Sequence, residues 1–231
     1  MISVVTGIFG DYDNLKEQPP QQGVDVEFIC VTDNPHLQST PTWQVVLQPR
    51  SDLTHPRLAA KVPKTNPWAW TSGGSERVVW MDGSFLLKDE GALARLIEAC
   101  PFPEVDGEPD YEAVFQFIHP ARDCIFTEAD FSTSLPKYYT QPIQPQIHHY
   151  RKAGHPQRWG LWATGFIVYP EWGPRREIIG QEWLAEQVRW TNQDQVSQAF
   201  VWNNNDDRPR EIPGHLLVND FATLHPHLDG T

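Results

Sequence analysis

The chain has 231 residues and a formal net charge of −12. That surplus of carboxylates argues against a nucleic-acid backbone as partner, because phosphates are neutralised by Lys and Arg. The length suits one large α/β domain over residues 1–231, and no apolar run approaches the length of a membrane span.

The first predicted strand is Ile2-Ser3-Val4-Val5-Thr6, which empties into Gly7-Ile8-Phe9-Gly10-Asp11-Tyr12-Asp13. Two glycines let backbone approach a ligand. Thr6, Gly7, Phe9, Gly10 and Tyr12 are candidate nucleoside contacts, with Tyr12 stacking on a base and Asp11 or Asp13 accepting from a ribose hydroxyl. The spacing is not GxGxxG, so a dinucleotide fold is not expected. Val26 to Val31 is the second strand and stops at Thr32-Asp33-Asn34-Pro35, where Asp33 is a candidate partner for a base N–H. Trp43 to Leu47 is the third.

Arg57 and Lys61 are four apart between Pro56 and Pro63. On a helix they share a face, and two cations near strand tips suit a pyrophosphate. Val78-Val79-Trp80-Met81 then climbs into Asp82-Gly83-Ser84. A continuous apolar run ending on a carboxylate reads as a buried parallel strand with a charged tip. Ligands of open α/β sheets bind at such tips, and Asp82 suits a hard divalent cation, Mn2+ or Mg2+, that also takes phosphate oxygens.

Gly91 to Cys100 is predicted as an amphipathic helix, residues 101–111 as a surface loop, and Ala113 to Ile118 as a strand. His119 and Arg122 follow it as candidate sugar or phosphate contacts. Residues 132–158 are rich in proline, carry the cluster His148-His149-Tyr150-Arg151, and read as either a lid or a long connection. Trp159 to Tyr169 approaches a strand in which Gly165 lets backbone pass close to a ligand. Glu177 to Trp190 reads as a helix with Ile178, Ile179, Trp183, Leu184 and Val188 on its apolar face. Thr191-Asn192-Gln193-Asp194-Gln195 opens a second helical run, Val196 to Trp202, with more hydrogen-bonding side chains than a cap requires. The tail carries His225 and His227, candidates to complete a metal shell. Cys30, Cys100 and Cys124 lack CxxC spacing and read as buried thiols of a reducing compartment, so a cytoplasmic location is expected. Most of the 10 tryptophans read as core.

Six short segments, TGIFGDYDNLKEQP, FICVTDNP, the Arg57–Lys61 pair, VVWMDG, HPARDCIFTEA and RWTNQDQVS, occur in an order that resembles a family of glycosyltransferase-like proteins with plant mucilage- and turgor-related members. The resemblance runs from about residue 3 to residue 202. It implies a GT-A fold, meaning one Rossmann-like domain with a mixed, mostly parallel sheet. It also implies a nucleotide diphosphate-sugar donor and a metal-binding acidic motif. Residues up to about 100 would hold the nucleotide, and the remainder the sugar and the acceptor, whose identity the sequence does not name. The usual metal motif is Asp-x-Asp; Trp80 stands at its first position and Asp82 at its second. Asn192-Gln193-Asp194 also resembles the Asp-Gln-Asp of retaining galactosyl- and glycogenin-type transferases, with Asn192 at the first Asp. That likeness puts Gln193 and Asp194 in catalytic roles beside the anomeric carbon, and Asn192 on the sugar.

The expectation is a metal-dependent glycosyltransferase. Two alternatives stand beside it. A sugar-1-phosphate nucleotidyltransferase needs a glycine- and arginine-rich phosphate loop, and residues 6–16 contain Lys16 but no arginine. A non-catalytic carbohydrate-binding protein would use its tryptophans and ignore nucleotide and metal.

Overall fold

The computed structural model of the protein describes residues 1–10 and 12–226. In chain order, β1 (Ile2–Ile8), β2 (Val26–Thr32) and β3 (Trp43–Leu47) are followed by two short helices, α1 (Pro56–Ala59) and α2 (Lys61–Thr65). Next come β4 (Arg77–Met81), β5 (Phe85–Leu87) and α3 (Ala92–Ala99). The segment expected as a plain loop holds a small hairpin, β6 (Glu104–Val105) and β7 (Glu108–Pro109). Asp106 and Gly107 turn it with positive φ, as a tight hairpin requires. Then follow β8 (Phe115–Ile118), α4 (Ile125–Ser132), α5 (Ile143–Lys152), β9 (Trp162–Pro170), α6 (Pro174–Arg189), α7 (Asp194–Asn204), β10 (Arg210–Glu211) and β11 (Ala222–Leu224).

The chain is mixed α/β. Seven strands form one mostly parallel sheet in the order β10-β8-β9-β4-β1-β2-β3. β9 is antiparallel to both its neighbours. Its first residues therefore lie at the edge where β1 and β4 end. β4 is buried on both faces: Val78 and Trp80 point into one core, and Val79 and Met81 into the other. Helices α4 to α7 cover the first face, and α3 lies on the second.

Two expectations are corrected here. The buried side of α6 is Arg176, Ile179, Gly180, Trp183 and Gln187, whereas Ile178 and Val188 are exposed. Gly180 sets that rotation, since a Cβ there would lie 2.1 Å from the Thr65 carbonyl oxygen of α2. The helices can touch only through a residue without a side chain. Residues 132–158 are also more regular than expected, because Pro142 and Pro145 stand at the start of α5, where helices tolerate proline. The tryptophans behave as read: Trp43, Trp68, Trp80, Trp162, Trp183 and Trp202 are buried. All three cysteines are free and buried, and burial pushes the Cys30 and Cys100 thiols up to about 12.

Candidate active site

Asp82 leaves β4 at the carboxyl edge of the sheet. Its backbone N–H donates to the Gly165 carbonyl at 2.8 Å, tying the tip of β4 to the start of β9. Side chains two apart on a strand share a face, and the Trp80 indole N–H donates to Asp82 Oδ1 at 2.7 Å. Trp80 thus orients the Asp82 carboxylate. Gly165 is close against the other oxygen: a Cβ there would lie 3.0 Å from Asp82 Oδ2.

A cavity of about 400 Å3 opens beside Asp82. That is within the range of small-ligand sites. Its wall carries Arg57, Lys61, Lys64 and Lys137 against Asp13, Asp82 and Asp194. The helical segment expected around Arg57 and Lys61 breaks at Ala60 into α1 and α2, yet both cations still reach the cavity. The Arg57 guanidinium stacks on the Tyr12 ring at 4.8 Å.

The densest charge lies on α2. Lys61 Nζ and Lys64 Nζ each donate to Asp194 Oδ2 at 2.6 Å, and Lys64 also reaches Asp82 Oδ1 at 3.2 Å. Lys64 is 1% exposed. A buried charge is tolerable only when paired and hydrogen-bonded, and Lys64 is paired on both sides. Burial alone would raise the Asp194 carboxyl, but Lys61 and Lys64 outweigh it and hold the group well below the usual carboxylate range. Burial lowers Lys64 too, and the two carboxylates more than restore it. Lys61 ends below its ordinary value, through burial and the neighbouring Lys64 charge. Asp194 is the first residue of α7, where the helix terminus favours an anion. Its carbonyl accepts from the Trp183 indole N–H at 3.1 Å and the Ser197 hydroxyl at 3.2 Å.

Most expected residues converge on this cavity. Gly7, Phe9, Tyr12, Arg57, Lys61, Asp82, Gly165, Asn192, Gln193 and Asp194 all line it. Gly7 is constrained on its far side, where a Cβ would meet Pro63 and Trp80 at 3.1 Å. Others do not line it. Thr6 is buried within β1. Asp33, expected on the base, instead braces the Tyr12 loop: Oδ1 accepts from the Gly10 N–H at 2.8 Å and Oδ2 from Arg50 at 2.7 Å. Gly10 makes this possible with φ of +64°. Burial works to raise the Asp33 carboxyl, and these two donors lower it below its ordinary value. Asp11 lies outside the described residues.

His119 and Arg122, expected on sugar or phosphate, also stand away from the cavity. β9 lies between β4 and β8, so the end of β8 emerges two strands from Asp82. His119 Nδ1 accepts from the Arg122 backbone N–H at 3.0 Å, and the Arg122 guanidinium pairs with buried Glu128. Burial pushes His119 down to about 4, aided by the Arg122 charge. Burial raises the Glu128 carboxyl, and Arg122 offsets this in part. Glu128 Oε1 in turn accepts from Gln193 Nε2 at 2.8 Å.

β11 pairs with β5 and brings His225 beside Ser84, whose carbonyl accepts the His225 N–H at 2.8 Å. His225 Nε2 is buried without a partner. His227 lies outside the described residues. Among the described residues no three His, Cys, Asp or Glu side chains gather as a ready cage. No described helix is long and apolar enough to cross a membrane.

No family model and no curated protein matches the chain significantly.

Three contributors were not expected from the sequence. Lys64 follows Pro63 in a short polar segment, with nothing to mark its burial. Lys137 and Tyr138 come from the proline-rich stretch and reach the cavity through a turn of 3-10 helix. The i, i+3 spacing of Lys61 and Lys64 was the available signal.

Proposed function

We propose that the protein is a glycosyltransferase that moves a sugar from a nucleotide diphosphate-sugar to an acceptor in this cavity. One observation carries the reading: in a chain of net charge −12, four cations face three carboxylates on the wall of a cavity of about 400 Å3 at the ends of β1 and β4, a local excess of positive charge. An acidic protein that concentrates Lys and Arg in one concavity favours an anionic ligand there. A diphosphate supplies the charge, and the Tyr12–Arg57 stack supplies a flat platform for a base.

Transfer breaks the bond between the anomeric carbon and a diphosphate oxygen, joins that carbon to an acceptor hydroxyl oxygen, and leaves the electron pair on the departing diphosphate, which can take up the hydroxyl proton. Arg57 and Lys61 are fixed cations for that charge, which grows in the transition state. Asp194, kept ionised by its lysines, answers the positive charge that grows on the sugar. The likeness of Asn192-Gln193-Asp194 to retaining enzymes favours retention.

A divalent cation, Mn2+ or Mg2+, fits the donor set. Asp82 Oδ1 is engaged by Trp80 and Lys64, which leaves Oδ2. His225 offers a buried nitrogen without a partner. His225 does not line the cavity, so Asp82 Oδ2 would hold the ion, and a hard cation fills its remaining positions with diphosphate oxygens and water. When bound, it would add Lewis-acid neutralisation of the leaving group.

The test is a thermal-shift screen of UDP, GDP, ADP and CDP, each with and without manganese. The reading expects one diphosphate to raise the melting temperature, with a further rise on adding manganese. Shifts by free glycans alone, indifferent to nucleotide, would replace it with a carbohydrate-binding role.

A further inference from the structure

Asn192 and Gln193 both line the cavity, and both are primary amides. An amide has an accepting end and a donating end, and its hydrogen-bond partners decide which faces a ligand. Behind each of these two stands a partner that leaves no choice. For Gln193 it is Glu128, a carboxylate paired with Arg122. Gln193 Nε2 donates to Glu128 Oε1 at 2.8 Å and to Ser132 Oγ at 2.9 Å, and Ser132 Oγ donates on to Glu128 Oε1 at 3.3 Å. Both amide hydrogens are used. What Gln193 has left is its oxygen, an acceptor.

For Asn192 the partner is Gln141. The Asn192 backbone N–H donates to Gln141 Oε1 at 2.8 Å, and a backbone N–H can only donate. Gln141 must then turn its Nε2 toward Asn192, and it donates to Asn192 Oδ1 at 3.0 Å. What Asn192 has left is Nδ2, a donor. Two neighbouring amides are thus set with opposite polarity.

We propose that Glu128 and Gln141 are positioning residues that make the Asn192–Gln193 subsite a reader of sugar hydroxyls, presenting one fixed acceptor and one fixed donor. The inference rests on the transferase reading for its ligand. A hydroxyl both donates and accepts, so a sugar satisfies both amides. A phosphate or carboxylate oxygen facing Gln193 would meet another acceptor. The subsite therefore assigns the sugar to the α7 end of the cavity and leaves the diphosphate to the lysines and Arg57. His119 and Arg122 join the sugar site at one remove, by holding Glu128.

The test is Gln141→Glu. A glutamate at 141 still accepts the Asn192 N–H but can donate neither to Oδ1 nor to the Lys137 carbonyl, which Gln141 Nε2 reaches at 3.2 Å, so Asn192 turns Nδ2 toward it and shows its oxygen to the ligand. Gln141 is only partly buried, which favours folding of the variant, and its melting curve checks this. Calorimetry with UDP, UDP-glucose and free glucose is run on both proteins. UDP affinity should stay within about twofold, while the gain of UDP-glucose over UDP should fall about tenfold, the scale of one lost hydrogen bond. An unchanged gain in a folded variant, or a wild type that gains nothing from glucose in either form, overturns the subsite. If none of UDP, GDP, ADP and CDP binds either protein, the transferase reading falls and the free-glucose arm decides alone: glucose binding lost in Gln141→Glu upholds the subsite, and binding retained overturns it. Glu128→Gln, which permits the Gln193 amide to flip, should give the same split.

Discussion

Two buried ionic clusters lie on the same face of the sheet and differ in what they do with their charge. Around α2, Lys61 and Lys64 hold Asp194 and Asp82, and the cluster opens onto the cavity. Around α4, His119 and Arg122 hold Glu128, and the cluster closes on Gln193 and Ser132 with no member of the ion pair on the cavity wall. A buried ion pair is weak evidence of stability by itself, because desolvation costs about as much as attraction returns. The open cluster holds Lys61 where an anion can reach it, with Lys64 buried behind it. The closed one spends its hydrogen bonds on the orientation of a single amide.

Breaking the open cluster should have the largest effect. Lys64→Ala leaves Asp194 and Asp82 short of a buried cation and should cost about 4 kcal/mol of stability, the scale for removing one partner of a buried pair. Urea denaturation measures this, and a loss below 1 kcal/mol would mean that water replaces the ammonium freely. In the closed cluster, Arg122→Ala should cost less, about 2 kcal/mol, because the Arg122 side chain is 22% exposed and partly screened. It should leave UDP affinity unaltered. A drop in UDP affinity as large as that of Lys61→Ala would erase the distinction between the clusters.

Acid sharpens the contrast further. His119 and the buried His155, both lowered to about 4, stay neutral in the fold while the unfolded chain takes up protons near its ordinary value. Their contribution is full above the unfolded pKa and is lost as pH falls toward the folded one. The loss should be about 1 kcal/mol per histidine at about pH 5.5. Asp194, also depressed, follows the same sign but loses its contribution only below the ordinary carboxylate range. Stability against pH should therefore fall in two stages, the first softened by Glu128, whose raised carboxyl takes up its proton earlier in the fold than in the unfolded chain. His119→Gln and His155→Gln together should flatten the first stage and spare the second. The smallest effect is expected of Gly165→Ala, whose Cβ would crowd Asp82 Oδ2 at 3.0 Å. Turning that carboxylate away from the proposed cation should weaken diphosphate binding in the presence of manganese about fivefold, or ~1 kcal/mol.

The open cluster was largely legible in the sequence and the closed one was not. Asp82 announced itself by the apolar run before it, Asp194 by the polar start of a helix, and Arg57 and Lys61 by spacing between prolines. These are local patterns. His119 and Arg122 follow a strand end just as Asp82 does, and sequence alone gives them the same role. What separates them is strand order: the antiparallel β9, inserted between β4 and β8, moves the end of β8 away from the cavity. Glu128 and Gln141 were invisible because their partners at Gln193 and Asn192 are 65 and 51 residues away. The apolar face of α6 was misread for a similar reason, since a non-local contact between Gly180 and Thr65 fixes its rotation.

The central claim is that the α2 cations and Arg57 form a diphosphate site. Isothermal calorimetry of UDP against uridine, on wild type, Arg57→Ala and Lys61→Ala, tests it most directly, with GDP–guanosine, ADP–adenosine and CDP–cytidine pairs run alongside. The account predicts that one diphosphate binds wild type at least tenfold more tightly than its nucleoside, and that each variant removes most of that advantage while nucleoside affinity holds. Equal affinity for diphosphate and nucleoside in wild type, or an advantage that survives in both variants, would contradict it.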